Sequence, residues 1–435
     1  VQYRKLSRIF LTSLLAAQTF MTTLPMVTFA EDEAEQTEEV EHTEEITQET
    51  EQAQEVEQAE SHEEDESLPS GYTKTPDLSK EVITDVENDV FQMPSDFPQD
   101  LATLPLDTRS HIVVDTETGK VLLERDANTP YPIASMTKVL AMYLIYEAID
   151  NGKLSLDQKI TPNDEIVETI TQDPELSNVG LEKGVAYPVE DLMHAIMIAS
   201  ANDATSAVMW EIYGSEQEAS KAMQEKLDEW GLNGQIFSVS GAPNENLPES
   251  MWLEGSTADD QNTLSARDVA LMSYYTVRDY PQILDITKKD EYTFMKDTDY
   301  EEVLPTNNRL LEGYDFGRPG VTGLKSGYTD QAGKNFVATS NEDGHPIIAV
   351  AMGVFGEELS TYEEIATMLN GIERNSEVYN MDLPVFWKKT QAELEEEKQQ
   401  EAEKIIEEEI TNGEPVENNR DSSLTNFMRR IFNFF

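Results

Sequence analysis

The run "SHIVVDTETGKVLLERD", Ser110 to Asp126, sets two strand-like segments around a polar turn that closes at Gly119. Alternating apolar positions bounded by turn formers predict a β-hairpin. From Ser135 to about Thr276 the chain then reads as mostly helical. The first part of that stretch, "YPIASMTKVLAMYLIYEAI", predicts one helix buried nearly all round. After Val321 the strand pattern returns in "TGLKSGYT", "KNFVATS" and "PIIAVAMGVFG". The separators "DQAG" and "NEDGH" are turns, the second of hairpin type. Strands at both ends with helices between them imply an α/β domain over residues 101–375. Its antiparallel sheet is assembled from the two chain ends and flanked by helices, with an all-helical subdomain inserted.

The flanks follow different rules. Residues 1–30 carry Arg4, Lys5 and Arg8, then the apolar "IFLTSLLAAQTFMTTLPMV", then small residues ending at Ala30. That three-part order is expected of a cleaved secretory signal and places the rest of the chain outside the cytoplasmic membrane. Residues 31–100 form an acidic spacer and linker. Its first half has no Lys, Arg or aromatic residue, so nothing there can be buried and like charges repel. No ligand spacing recurs around His42 and His62. Residues 376–419 read as a solvated helical stalk, helix-forming but poor in apolar positions. In residues 420–435, Leu424, Phe427, Met428, Ile431, Phe432 and Phe435 fall on one helical face, with Arg429 and Arg430 off it. This reads as an amphipathic helix lying on a membrane surface.

Composition narrows the partners. The formal net charge is −55, which repels nucleic acid. The absence of cysteine excludes disulfides, thiolate nucleophiles and cysteine-bound zinc.

Three short stretches can carry chemistry. Ser135 and Lys138 lie one helical turn apart at the head of the apolar helix. A hydroxyl can give its proton to a lysine if burial or a neighbouring cation keeps that lysine neutral. Alone, the pattern reads first as a helix cap followed by a snorkelling lysine. In "IASANDATSAV", Ser200 and Asn202 sit between two apolar helices. They read as caps, or as a hydroxyl that relays a proton and an amide that holds a carbonyl. In "GLKSGYTDQAGKNF", Lys325, Ser326 and Gly327 lie on a strand beside a Gly-rich turn. A guarded edge strand explains them, and so does a carboxylate site approached by a ligand backbone.

As an ordered set, Ser135-Met-Thr-Lys138, Ser200-Ala-Asn202 and Lys325-Ser-Gly327 match the S-x-x-K, S-D-N and K-T-G signature of penicillin-binding proteins and class A β-lactamases. The neighbouring sequences "VDTETGKVLLERDANTPYPIASMTKVLAMYLIYEAI", "LSARDVALMSYY", "TNNRLL" and "VTGLKSGYTDQAGKNFVATS" extend the likeness over roughly Leu101 to Phe355. The chain resembles the D-alanyl-D-alanine carboxypeptidases, the low-molecular-mass penicillin-binding proteins of serine peptidase family S11. That resemblance implies a β-lactamase/penicillin-binding-protein-like fold. It implies removal of the terminal D-alanine from peptidoglycan stem pentapeptides, with β-lactams as inhibitors and no cofactor or metal. By the same resemblance Ser135 is the nucleophile, Lys138 its base and Ser200 a proton relay. Asn202 holds the peptide amide, and Lys325 and Ser326 bind the carboxylate beside Gly327. The backbone N–H groups of Ser135 and Tyr328 form the oxyanion hole.

The chain departs from the family's pattern at three points. Ser326 stands where the family often has Thr, and Tyr328 where it often has His. The residues after the domain are too acidic and too poor in apolar positions to build the family's frequent second, β-rich domain, although the terminus is similar to its membrane anchor. A serine β-lactamase is the alternative enzyme, with Glu165, Glu168 and Glu175 as nearby acids for deacylation. A catalytically idle peptidoglycan-binding protein is the alternative outside enzymology. His111, His194 and His345 read as strand, helix and turn residues rather than members of a Ser-His-Asp triad.

Overall fold

The computed structural model describes residues 94–387. The expectations for residues 1–30 and 420–435, and for most of 31–100 and 376–419, fall outside them. Five long strands form one sheet: β1 (Ser110–Asp115), β2 (Val121–Arg125), β3 (Val321–Thr329), β4 (Gly333–Glu342) and β5 (His345–Val354). Their order is β3-β4-β5-β1-β2, with antiparallel neighbours throughout. The two chain ends meet where β1 pairs with β5, Ile112 opposite Val350. Every residue of β1 is buried, because both faces of the sheet are covered. Ile112 and Val114 join Ile348 and Val350 in the core under the inserted helices. Val113 joins Ile347 and Ala349 in a second core on the other face. There α6 (Thr361–Arg374) lays Ile365, Met368, Leu369 and Ile372 against the strands at helical spacing.

The inserted region centres on α1 (Lys138–Asp150), buried along nearly its whole circumference. It is walled by α2 (Val189–Ile198), α3 (Asn202–Tyr213), α4 (Glu216–Glu229) and α5 (Ala266–Asp279). The region is helical in bulk but not throughout. Short strand pairs tie Tyr131–Pro132 and Gly234–Gln235 to Thr263–Leu264, and Glu291–Phe294 to Glu302–Pro305. Between Phe237 and Asn262 the chain forms no α-helix. Pro243, Pro248, Gly241 and Gly255 interrupt helical bonding there.

The folded unit also reaches further than residues 101–375. Phe97 is buried at one end, and Val378, Leu383 and Phe386 at the other. Residues 376–387 are therefore packed chain rather than the beginning of a solvated stalk. They cover the open side of the hairpin: Val121 N donates to Pro384 O at 2.8 Å and Phe386 N to Gly119 O at 2.9 Å. A paired edge no longer templates association with another chain. Gly119 has φ +77°, and a Cβ there would run into the Trp387 ring, so the turn requires glycine. Phe386→Ala should lower the unfolding free energy by about 3–5 kcal/mol, the usual result of emptying a buried aromatic site. Urea unfolding of the full chain measures it; an unchanged midpoint would show that this segment is not part of the core.

Candidate active site

Between Tyr131 and Leu140 only Ser135 escapes full burial. It sits in a 3-10 turn, Ala134–Thr137, that leads into α1. Ser135 is therefore not the helix cap: its side chain caps no backbone N–H and instead meets Lys138 Nζ at 2.9 Å. Ala134 holds φ +48°, an uncommon left-handed conformation for a residue with a Cβ, directly before the hydroxyl. Lys138 is fully buried. Its Nζ also donates to Asn202 Oδ1 at 2.8 Å and to the Ser240 carbonyl at 2.7 Å. The amide oxygen and the carbonyl can only accept. A neutral amine has two N–H bonds and one lone pair, so these two acceptors direct the lone pair at the Ser135 hydroxyl.

Ser200 and Asn202 come from the connection between α2 and α3. Ser200 has φ +58°, which turns the chain sharply between the two helices. Asn202 binds Ser177 O twice, from Nδ2 at 2.9 Å and from its backbone N at 2.8 Å, so its oxygen is left for Lys138. Asp203 is buried and accepts from Val179 N and Leu181 N at 3.2 Å and from Ala204 N at 2.8 Å. These bonds hold residues 177–181 against the start of α3.

The third stretch lies on β3, at the edge of the sheet. The reading of Lys325 as an exposed edge guard does not hold: it is 3% exposed. Its Nζ donates to Ser200 Oγ and to Ser326 O, both at 3.0 Å. Ser326 lies beside Tyr362, on α6. At Gly327 a Cβ would stand 2.6 Å from Ile133 O and 3.1 Å from Ser135 N. Only glycine lets β3 lie this close to the 3-10 turn. Tyr328 is 62% exposed and its hydroxyl donates to Asp330 at 2.8 Å, so its side chain points away from Ser135. What it can offer the site is its main chain.

The electrostatics favour a neutral base. Burial, and then the charge of Lys325, hold the Lys138 amine well below the ordinary lysine range. Asp203 and Glu216 act in the opposite direction. Burial lowers Lys325 to about 7.

The structure thus forms two hydrogen-bonded groups, Ser135 and Asn202 around Lys138 and Ser200 with Lys325, coupled through the charge of Lys325 on Lys138, with Ser326 and Gly327 on the strand that carries Lys325. Sequence reasoning missed the support beneath it. The Ser240 carbonyl holds Lys138. Asn262 takes the Phe237 and Ser238 N–H groups on Oδ1, at 2.6 and 3.0 Å, and donates to Thr137 Oγ1 at 3.0 Å. Gly241, φ +81°, presses against Ala134 O. The one sequence hint was that glycine within "VSGAPN". The acids named for a β-lactamase are engaged elsewhere: Glu165 with Ser250, Glu168 with Lys183, and Glu175 with Asn246. The histidines are structural. His111 bonds Thr108 at 2.8 Å, His194 bonds Glu190 O and stacks on Tyr292, and His345 meets Asp115.

With this geometry in view, the chain was compared with known proteins. It is 32% identical over 247 residues to the D-alanyl-D-alanine carboxypeptidase DacF of Bacillus subtilis, covering 57% of each chain. The chain thus spans just over half the length of that relative. Among solved structures, it is similar to a peptidoglycan synthesis regulatory factor from Streptococcus pneumoniae, with 35% identity and a TM-score of 0.58 over 62% of this chain and 74% of that one. It is also similar to a penicillin-binding protein of Listeria monocytogenes in its cefotaxime-bound form, with 25% identity and a TM-score of 0.50 over 64% of this chain and 99% of that one. The sequence profile of the D-alanyl-D-alanine carboxypeptidases, peptidase family S11, matches residues 98–356, and the chain belongs to that family.

Proposed function

We propose that the protein is a serine-type D-alanyl-D-alanine carboxypeptidase that trims peptidoglycan stem pentapeptides and is acylated by β-lactams. The observation that carries this reading is the placement of Lys138 Nζ, held by two obligate acceptors with Ser135 Oγ at 2.9 Å. Ser135 Oγ attacks the carbonyl of the D-Ala-D-Ala bond while Lys138 takes its proton. The backbone N–H groups of Ser135 and Tyr328 stabilise the oxyanion. Lys325 and Ser326 receive the terminal carboxylate and Asn202 the peptide amide. Lys138 then gives up that proton, and Ser200, bonded to Lys325, passes it to the departing D-alanine nitrogen, leaving Lys138 neutral again. Water then attacks the ester, Lys138 takes its proton and hands it to Ser135 Oγ as the ester bond breaks, and the trimmed peptide leaves with both residues restored. A β-lactam follows the first half of this course, its opened ring remaining on Ser135.

The leader at residues 1–30 and the terminal helix at 420–435 fit this reading as export signal and membrane-surface anchor for an extracytoplasmic enzyme acting on the cell wall. Among the described residues no helix is long and apolar enough to cross a membrane. An anchor lying on the surface needs none.

Incubation of the full chain with a penicillin should add one drug mass to the intact protein, and Ser135→Ala should abolish that adduct. An adduct that survives the substitution would place the nucleophile elsewhere. A stem pentapeptide should release D-alanine far faster than penicillin is hydrolysed; the reverse ratio would identify a β-lactamase. Acylation should decline as pH falls through the lowered lysine value, because protonated Lys138 has no lone pair to offer. Lys138→Arg, which cannot lose its proton, should reduce acylation by about 10²–10⁴-fold at every pH. A variant ending before Leu424 should leave the membrane fraction on sedimentation, and unchanged sedimentation would refute the anchor.

A further inference from the structure

Among the buried ionisable groups to which the reaction above gives no task, Glu216 lies beside the Lys138 site. Glu216 opens α4, where a glutamate ordinarily faces solvent and favours the helix dipole. Here Ser215 supplies the cap, through Glu218 N at 3.1 Å, and Glu216 turns inward to 0% exposure. Its Oε1 accepts from Val239 N at 3.0 Å. The next residue is Ser240, whose carbonyl takes the hydrogen bond from Lys138 Nζ at 2.7 Å. One peptide unit therefore links this carboxylate to the seat of the proposed base.

Holding a backbone N–H does not require a charge, since a glutamine oxygen accepts equally well. Glu216 Oε2 makes no hydrogen bond of ordinary geometry, although the nearby Ser206 hydroxyl favours its charged form. A buried carboxylate left half-satisfied is costly and calls for a reason. The charged groups acting on the Lys138 amine are Lys325 on β3, Asp203 on α3 and Glu216 on α4. Asp203 is fixed by three backbone N–H groups and serves the 177–181 loop. Glu216 has one such bond, and the charge that acts on it is that of Lys138. Burial pushes its carboxyl up to about 7, so it changes charge near neutral pH.

We propose that Glu216 is a positioning residue. It fixes the Ser240 carbonyl under Lys138 Nζ, and its negative charge sets how readily that amine gives up its proton. This rests on the reading of Lys138 as the base. An anionic Glu216 stabilises the ammonium form and a neutral side chain does not. Removing the charge while keeping the shape must therefore free the lysine lone pair at lower pH. The two groups then titrate as a pair, and the acid limb of the reaction belongs to both.

The test is the second-order rate of acylation by a fluorescent penicillin, followed across the neutral pH range in the full chain. Wild type is compared with Glu216→Gln and Glu216→Ala. Glu216→Gln should keep most of the rate on the alkaline side and move the acid limb down by about one pH unit. Glu216→Ala removes anchor and charge together. It should lower the rate by about tenfold or more, and lower kcat for D-alanine release with KM little changed. Glu216→Gln decides the matter even if the alanine variant is unstable, because it preserves size and the Val239 bond. A Glu216→Gln profile that overlays the wild type overturns this inference alone. Absence of acylation in the wild type itself would instead remove the assigned base, and this inference with it.

Discussion

A primary amine buried at the head of an apolar helix is tolerated when every hydrogen and lone pair has a partner, or when the amine is neutral. The structure around Ser135 meets the first condition through three pieces of chain remote in sequence, and burial favours the second. Asn202 arrives from the connection between α2 and α3, Ser240 from the proline- and glycine-broken stretch after α4, and Ser135 from the turn before α1. None of the three can shift far without leaving the amine unpaired. Other features of the site follow from that demand. Asp203 and Ser177 keep Asn202 in place, Asn262 keeps the 237–238 backbone in place, and glycines at 241 and 327 let main chain close on the turn from two sides.

Lys325 adds a second constraint. Two amines in one desolvated pocket cannot both be ionised without mutual repulsion. The strand that carries Lys325 also carries the glycine that touches the Ser135 turn. The cation that suits a substrate carboxylate is thereby the cation that discourages protonation of Lys138. In the proposed reaction, recognition and activation share one residue because β3 runs past both.

What could be seen in the sequence divides along physical lines. The sheet was legible because β1 and β5 are short apolar runs bounded by turn residues, and such runs mark strands covered on both sides. The Ser135, Ser200 and Lys325 motifs were legible because the proposed chemistry falls to their side chains, whose residue types the letters record. The Ser240 carbonyl was not, because every residue has one and nothing in the letters marks which is used. Glu216 was masked by its position, since a glutamate in the first turn of a helix already has an ordinary explanation. Residues 376–387 were assigned to a stalk together with the acidic, helix-forming run that follows them, yet Val378, Leu383 and Phe386 seal an edge because the hairpin supplies the facing surface. The cap expected at Ser135 was a fair guess from residue type, but the tight 3-10 turn spends that hydroxyl on Lys138 instead of on the backbone.

The strand order has a mechanical side. Residues 384–386 bind at the β2 hairpin, whereas the reactive strand β3 forms the opposite edge. Four inter-strand spacings of about 4.8 Å put roughly 19 Å of sheet between the two edges. Any pull on the chain beyond residue 387 is first borne by the bonds of Val121 and Phe386 and by the ring of Trp387 packed over Gly119. Tension applied there peels one edge, residue by residue, before it can strain the other. The margin that meets the chain beyond residue 387 is thus the one farthest across the sheet from the strand that carries Lys325.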